Sequence, residues 1–205
     1  MELDNFYIDS KDKMCQFLLN KKLCGLVEDV KKEYDRIAVL CIGTDACTGD
    51  SFGPLVGHFL SKCTLYDFDL YGTIHSPVHA KNLVDTLSGI NLSKTLVIAV
   101  DACLGKYSHI GNIGIGYSPV KPGSGLGKSL PEVGDIHIEG IVNISGFHPL
   151  LVLQNTRLSI VYSMAEITAR AIRYMLYTNR KMKATVTNKS IKLLAHHVYR
   201  NFYNI

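Results

Sequence analysis

Two short aliphatic runs, residues 36–42 and 95–100, constrain the fold more than any other feature of this sequence. Both have the length of a strand and are apolar at successive positions, which is typical of strands that are covered on both faces of a parallel sheet. Between them, Gly53 and Pro54 predict the start of a helix over residues 54–63. A second strand and a second helix follow before residue 95, so strand and helix alternate, and this order predicts a largely parallel sheet between helical layers.

The remaining segments complete a three-layer α/β/α sandwich around a mixed, mainly parallel sheet, of the phosphorylase/hydrolase-like kind. Ser10 is the expected N-cap of the first helix. Neither an internal repeat nor a low-complexity linker divides the chain, so residues 1–205 are interpreted as a single α/β domain with N- and C-terminal helices. The pattern predicts strands over 64–74, 110–118 and 135–144, and helices over 11–33, 79–90, 155–178 and 188–202.

The composition is that of a packed protein, with 47% apolar and 20% charged residues. No apolar run approaches the roughly 18 residues that a membrane span requires. Residues 1–10 lack the basic-then-apolar layout of a signal peptide. We therefore expect a cytoplasmic protein with no membrane partner, in which the six cysteines are reduced thiols.

Positive charge is concentrated near the C-terminal end. Residues 167–205 hold eight Lys or Arg and no Asp or Glu, within a net charge of +4. Such a bias occurs in nucleic-acid-binding proteins, but it is more often the solvated face of a helix. We therefore do not expect nucleic acid to be a partner.

Two segments carry the candidate catalytic residues. The first is Gly43-Thr-Asp-Ala-Cys-Thr-Gly-Asp-Ser-Phe-Gly-Pro54, directly after the first strand, and the second is Val100-Asp101-Ala102. Ligands gather beyond the carboxyl ends of the strands in an open parallel sheet, so Asp45, Asp50 and Asp101 are expected at one edge. Two carboxylates in a partly desolvated site cannot both ionise cheaply, which supplies an acid and a base for attack of water on a peptide carbonyl. The structural alternative is that Asp50 caps a helix and Asp101 only ends a strand.

Metal ligation is a competing interpretation. His75 and His79 lie between the two aspartate loops in sequence. Together with aspartate they would suit a borderline divalent metal such as zinc, nickel or iron.

Two further chemistries have less support. A thiol nucleophile would be Cys47 or Cys103, but the sequence shows no positioned base for either. A phosphate-binding loop is disfavoured because Asp50 would repel phosphate in the first glycine-rich segment. The second such segment, residues 122–129, is followed by Leu130-Pro131 where the pattern demands a helix.

The same residues resemble a known family. The run Cys41-Ile-Gly-Thr-Asp-Ala-Cys-Thr-Gly-Asp-Ser-Phe-Gly-Pro-Leu-Val-Gly57 looks like the signature loop of the sporulation proteins of the YyaC type, or YyaC-type spore proteases. The resemblance extends over about residues 36–175 through Pro77-Val-His-Ala-Lys-Asn-Leu83, Pro122-Gly-Ser-Gly-Leu-Gly-Lys128 and Pro131-Glu-Val-Gly-Asp135.

That family is similar to the germination protease of spores. In the protease, one aspartate lies in an Asp-x-x-Gly-Pro loop and another in an Asp-Ala segment after a hydrophobic strand, and Asp50 and Asp101 match them. Its Pro-Gly-Ser-Gly-Val-Gly stretch is matched by residues 122–127. More distantly, both resemble the hydrogenase maturation endopeptidases, which hold nickel with acid and histidine side chains and use Glu where this chain has Asp50.

The resemblance implies a peptidase that acts on a spore or sporulation protein, in the forespore or spore core, with Asp50 and Asp101 as its acid/base pair. Asp45 and a set of glycines would shape the pocket and approach the substrate backbone. These glycines are Gly43, Gly49, Gly123, Gly125 and Gly127.

Two alternatives stay open. One is a metal-dependent maturation endopeptidase in which Asp50, Asp101 and His79 hold one divalent ion, zinc or nickel. The other is a catalytically silent protein that binds a spore protein or a protease precursor. The expected cofactor is therefore none or one divalent metal, and the expected partner is a protein or peptide substrate, with homo-oligomerisation compatible with either.

Overall fold

The computed structural model describes residues 6–64, 66–123 and 130–179, which form a six-stranded sheet with helices on both faces. The strands are β1 (Phe6–Asp9), β2 (Arg36–Cys41), β3 (Asp69–Tyr71), β4 (Thr95–Gly105), β5 (Asn112–Gly116) and β6 (Ile136–Ile144). The helices are α1 (Cys15–Asp29), α2 (Phe52–Ser61), α3 (Leu83–Ser88), α4 (Pro149–Gln154) and α5, which is helical over residues 158–179. No helix in these ranges is long and apolar enough to cross a membrane.

The sheet has the strand order β1-β5-β6-β4-β2-β3. The neighbouring pairs β3/β2, β2/β4 and β4/β6 are parallel, whereas β6/β5 and β5/β1 are antiparallel. The sheet is therefore mixed and mainly parallel, and the predicted α/β fold class is confirmed. Because β2, β4 and β6 point the same way, the loops at their carboxyl ends meet at one edge.

The central strands are apolar on both faces because each face packs on a separate hydrophobic cluster. In β4, Ile98 and Val100 face the cluster that includes α1, α2 and α5. Val97 and Ala99 face a smaller cluster that includes α3. Successive side chains of a strand alternate, so Asp101 projects on the same side as Val97 and Ala99.

The two edges of the sheet differ most from the sequence prediction. Of the predicted strand over 64–74, only Asp69–Tyr71 pairs with β2. The Arg36 guanidinium donates two hydrogen bonds to the Asp69 carboxylate there, at 2.7 and 2.8 Å. At the other edge, β1 is a four-residue strand that the sequence pattern does not predict. Both are edge strands with few ladder partners, so their sequences carry little strand signal.

Helix boundaries also depart from the prediction. The first helix begins at Cys15 with Met14 at the N-cap, so the assignment of Ser10 is wrong. The Ser10 N–H donates instead to the Gly111 carbonyl at 3.0 Å, which continues the β1–β5 pairing. The helix predicted over 155–178 corresponds to α5, and the short helix α4 that precedes it is not predicted by the pattern. The helix predicted over 188–202 lies outside the described residues.

Candidate active site

The first aspartate loop folds back on itself at the carboxyl end of β2. The Thr44 N–H donates to the Asp50 carbonyl at 3.1 Å, and the Gly43 N–H donates to the Val78 carbonyl at 2.8 Å. Gly43 has a φ of +135°, and a Cβ at this position would overlap the carbonyl oxygen of Asp50. Glycine is therefore required both by the backbone conformation and by the close approach of the two ends of the loop.

Asp101 lies inside β4, one residue beyond the point where β2 stops. Cys41, the last residue of β2, pairs with Val100, so β4 continues past its neighbour and opens space beside Asp101. The side chain is only 9% exposed, and its Oδ1 accepts a hydrogen bond from the Ala102 N–H at 2.9 Å. This bond fixes one carboxyl oxygen and leaves the other for a ligand.

Asp50 and Asp101 line a common cavity of about 330 Å³. Its wall is largely apolar, since Ile42, Cys47, Leu130, Leu150 and Leu153 contribute to it. The structure therefore brings the two sequence-predicted aspartates together in a partly desolvated cleft, as the acid/base interpretation requires.

A second cavity, of about 270 Å³, shares four lining residues with the first: Asp50, Asp101, Gly123 and Leu153. Its other lining residues are more polar and include Glu139, Lys121 and Ser145. The aspartate pair therefore lies where an apolar arm and a polar arm of one cleft meet. The apolar arm is the 330 Å³ cavity, and the polar arm is the 270 Å³ cavity.

The environment of Asp101 favours its protonated form. Burial is the largest cause that raises the pKa of Asp101 well above its usual range, and the charges of Asp50 and Glu139 raise it further. The Ala102 N–H opposes this shift without cancelling it. A carboxyl group that keeps its proton near neutrality can act as a general acid.

His79 reaches the apolar arm through a loop that is held by one side chain. Asn82 Oδ1 accepts the His79 N–H at 2.8 Å, and Asn82 Nδ2 donates to the Pro77 carbonyl at 3.0 Å. Val78 forms a parallel bridge with Ile42, directly after β2. These bonds hold the loop that places His79 among the lining residues of the apolar arm. The helix α3 begins at Leu83, whereas the pattern predicts a helix from residue 79.

The donor set does not fit a divalent metal. His79 Nδ1 accepts a hydrogen bond from the Lys81 N–H at 3.3 Å, so this ring nitrogen already has a partner. Within residues 6–64, 66–123 and 130–179, no three His, Cys, Asp or Glu side chains are arranged to hold a metal ion. His75 lines neither arm and packs on the His58 ring, with centroids 5.9 Å apart.

The other predicted pocket residues have different positions. Asp45 is exposed and lines neither arm. Gly49 is buried against Leu153 of α4, where a side chain would clash, so its place in the structure is a packing contact with α4. Gly123 lines both arms. Gly125 and Gly127 lie outside the described residues.

The structure also bears on two other interpretations, in which Asp50 is a helix cap or a cysteine is the nucleophile. Asp50 belongs to a 3-10 turn, Gly49–Ser51, and the N-cap of α2 is Ser51 rather than Asp50. Burial, followed by the charges of Glu139 and Asp101, raises the pKa of the Cys103 thiol, so its reactive thiolate is disfavoured. Cys47 is buried in the wall of the apolar arm.

Sequence reasoning missed Glu139, although a signal was present. Glu139 is the one acidic residue in β6, half-buried in a strand whose buried positions are almost all apolar. It is the direct neighbour of Asp101 across the β4/β6 ladder. Only the strand pairing, which the sequence does not display, brings the two residues together.

Three comparisons place the chain among known proteins. The model of a family described as proteins of unknown function (DUF1256) matches residues 7–171. The uncharacterised protein YyaC of Bacillus subtilis (strain 168) is 54% identical over 138 residues, which cover 66% of this chain and 67% of the relative. The predicted resemblance to YyaC proteins is therefore confirmed. Among solved structures, the NiFe hydrogenase maturation protease HycI from Thermococcus kodakarensis KOD1 is similar with a TM-score of 0.48 and 20% identity, over 74% of this chain and 99% of that chain.

Proposed function

This chain belongs to the family of proteins of unknown function (DUF1256), and we propose that it is a peptidase that hydrolyses internal peptide bonds in an extended segment of another protein. The observation that carries the proposal is the position of Asp50 and Asp101 at the junction of the two arms. A scissile bond held at this junction has substrate chain on both sides, and each arm receives one side.

The size of the arms favours an extended substrate. At about 330 and 270 Å³, they lie near the lower limit of small-molecule pockets, which span roughly 300–1,000 Å³. Each arm holds a few side chains at most. A folded domain cannot bring a bond to the aspartates, whereas a disordered segment or a tail can.

The two carboxyl groups divide the chemistry of hydrolysis. The Asp50 carboxylate takes a proton from a water molecule as that water attacks the peptide carbonyl carbon, and Asp101 gives its proton to the carbonyl oxygen. When the tetrahedral intermediate collapses, the C–N bond breaks, the leaving amine takes the proton from Asp50, and Asp101 recovers its own from the hydroxyl. The pair returns to its starting state without any group beyond water.

The proposed substrates are spore or sporulation proteins, cut in the forespore or spore core. Support comes from the motifs that resemble the germination protease, because Asp50 and Asp101 are the matching aspartates in both segments. The DUF1256 match spans both of these segments.

The test is cleavage of denatured spore-protein extract by the purified chain, with products identified by mass spectrometry. Asp50→Asn and Asp101→Asn should each reduce the cleavage rate by about 10²-fold or more, in line with loss of a general base or acid. Asp45→Asn, which removes an exposed carboxylate outside both arms, is the matched control and should cleave like the wild type.

Two results would contradict the proposal. One is undiminished cleavage by both variants when their thermal melts are normal. The other is a wild type that binds a spore protein tightly over a wide pH range and never cuts it, which would favour the catalytically silent binding protein.

A further inference from the structure

Glu139 is the residue of β6 that faces Asp101. The two are register partners in the parallel β4/β6 ladder, and paired residues on adjacent strands project to the same face of a sheet. Both line the polar arm, together with Asp50. Asp101 therefore has one carboxyl group on the side of the Asp50 loop and a second on the side of β6.

Within the described ranges, the cationic side chains that line the two arms do not pair with Glu139. Of the cations that line the arms, Lys121 forms an ion pair with Glu132 at 2.8 Å in an exposed position, and Lys81 lies in the apolar arm with His79. In the part of the chain that the structure describes, no ion pair or side-chain hydrogen bond neutralises Glu139. Cys103, the remaining titratable group on β4 beside Asp101, is a buried thiol whose raised pKa keeps it neutral.

We propose that Glu139 is a positioning residue that keeps the single proton of the pair on Asp101, so that Asp101 is the acid and Asp50 the base. The inference rests on the proposed peptidase function for the chemical roles, whereas the location of the proton can be measured without a substrate. Asp101 lies between two carboxyl groups, and ionising it would put three negative charges in one arm.

The energetic argument follows the same geometry. Nearby negative charges disfavour the ionised form of a carboxyl group, and solvent and salt screen such charges only weakly at a buried site. Asp101 is the most buried of the three acids, and its strand β4 lies between β6, which carries Glu139, and β2, which leads into the Asp50 loop. The charge of Glu139 is among the causes that raise the pKa of Asp101, after burial and Asp50.

The direct test is a titration of aspartate carboxyl carbons by NMR in protein labelled at aspartate, with the Asp101 signal assigned by its loss in Asp101→Asn. In Glu139→Gln, the titration midpoint of Asp101 should move to lower pH than in the wild type. Glu139→Asp keeps the charge and should restore most of the wild-type midpoint. Glu166→Gln removes an equal charge from α5, where Glu166 pairs with Arg170 and lines neither arm, and should leave the midpoint unchanged.

A cleavage assay supplies the second measurement. The alkaline limb of the pH profile reports loss of the proton from the acid, so Glu139→Gln should move that limb to lower pH while KM changes little. A purely structural role for Glu139 would lower activity at every pH without moving the limb. If Glu139→Gln does not fold, as judged by its thermal melt, Glu139→Ser replaces it in both measurements.

The outcomes separate this inference from the peptidase proposal. An Asp101 midpoint that stays in place or rises in Glu139→Gln overturns the role of Glu139, whether or not the protein cleaves anything. If the midpoint falls as expected but the protein cleaves no substrate, the proton is located on Asp101 as proposed and the peptidase function is wrong.

Discussion

The carbonyl oxygen of Asp50 occupies the space that a side chain on Gly43 would need. This contact closes the loop between the end of β2 and the turn that carries Asp50, and the hydrogen bond from the Thr44 N–H to the same oxygen reinforces it at 3.1 Å. The position of the proposed base therefore depends on the absence of a side chain seven residues earlier.

Gly43→Ala should both destabilise the protein and displace Asp50. A φ of +135° is unfavourable for alanine, with a cost on the order of 1–3 kcal/mol, and relief of the overlap requires the Asp50 backbone to move. We expect a lower free energy of unfolding and a loss of cleavage larger than the loss of folded protein. Urea unfolding and the cleavage rate per folded molecule measure the two effects.

Gly25→Ala is the matched control for this variant. Gly25 lies inside α1, and outside the backbone of its own helix no atom of the described residues lies within 4 Å of the position of its Cβ. Alanine should therefore stabilise that helix by about 0.5–1 kcal/mol and leave cleavage unchanged. Equal stability and equal cleavage rates in the two alanine variants would show that the Gly43–Asp50 contact does not contribute to cleavage.

The sequence predicts the centre of the sheet better than its margins, and the reason is physical. β2 and β4 are covered on both faces, so they appear as continuous apolar runs, and the loops after such strands are expected at one edge. Asp50 and Asp101 could therefore be placed together before the structure was known. β1 is only four residues long and pairs along one side only, so no comparable run marks it.

Features that depend on tertiary contacts could not be predicted. The loop that carries His79 is held by the Asn82 side chain, which accepts the His79 N–H and donates to the Pro77 carbonyl. The proximity of Glu139 to Asp101 depends on the register of β4 against β6, and α4 reaches the cleft because Leu153 packs on Gly49. Each of these depends on specific contacts that a periodic sequence pattern does not display.

The two aspartates should act as a unit. If one proton is shared between an acid and a base, loss of either group removes the same reaction path. The double variant Asp50→Asn/Asp101→Asn should therefore cleave only slightly more slowly than the slower single variant, rather than by the product of two losses of about 10²-fold each. Rates of all four proteins on one denatured substrate measure this, and multiplicative losses would indicate independent roles.

Chelation should leave cleavage unchanged. Among the residues that the structure describes, Asp50, Asp101 and His79 are not arranged to hold a metal ion together, and His79 Nδ1 already accepts the Lys81 N–H. Dialysis against EDTA should therefore alter the cleavage rate by less than about twofold, and elemental analysis of the purified protein should find no stoichiometric zinc or nickel. Loss of activity that zinc or nickel restores, together with metal uptake at least ten-fold weaker in His79→Ala, would instead support the metal-dependent alternative.

Asp101→Asn should be more stable than the wild type at neutral pH. The pKa of Asp101 is raised in the folded protein, mainly by burial, so the unfolded chain releases this proton at a lower pH, near 3.9. As the pH rises above that value, ionisation favours the unfolded wild type, whereas asparagine does not titrate. The gain in the free energy of unfolding should be present at pH 7 and vanish as the pH falls below about 4.

Urea unfolding at several pH values measures this gain. Asp45→Asn removes an exposed carboxylate and should show no comparable dependence on pH. A variant at position 101 that is less stable than the wild type at pH 7 would show that the carboxyl group is stabilised, rather than strained, by its surroundings.

Leu150 and Leu151 offer a final test of where the substrate lies. They are neighbours in α4 with similar exposure, 51% and 55%, but only Leu150 lines the apolar arm. Leu150→Asn keeps the approximate shape of the side chain and removes an apolar contact with the bound segment, so kcat/KM should fall by about tenfold, the effect of a missing hydrophobic contact in a substrate pocket. Leu151→Asn should leave kcat/KM within about twofold, and the thermal melts of the two variants should match because both side chains are half exposed. Equal losses in the two variants would mean that α4 affects cleavage through its general stability, and no loss in either would place the substrate outside the apolar arm.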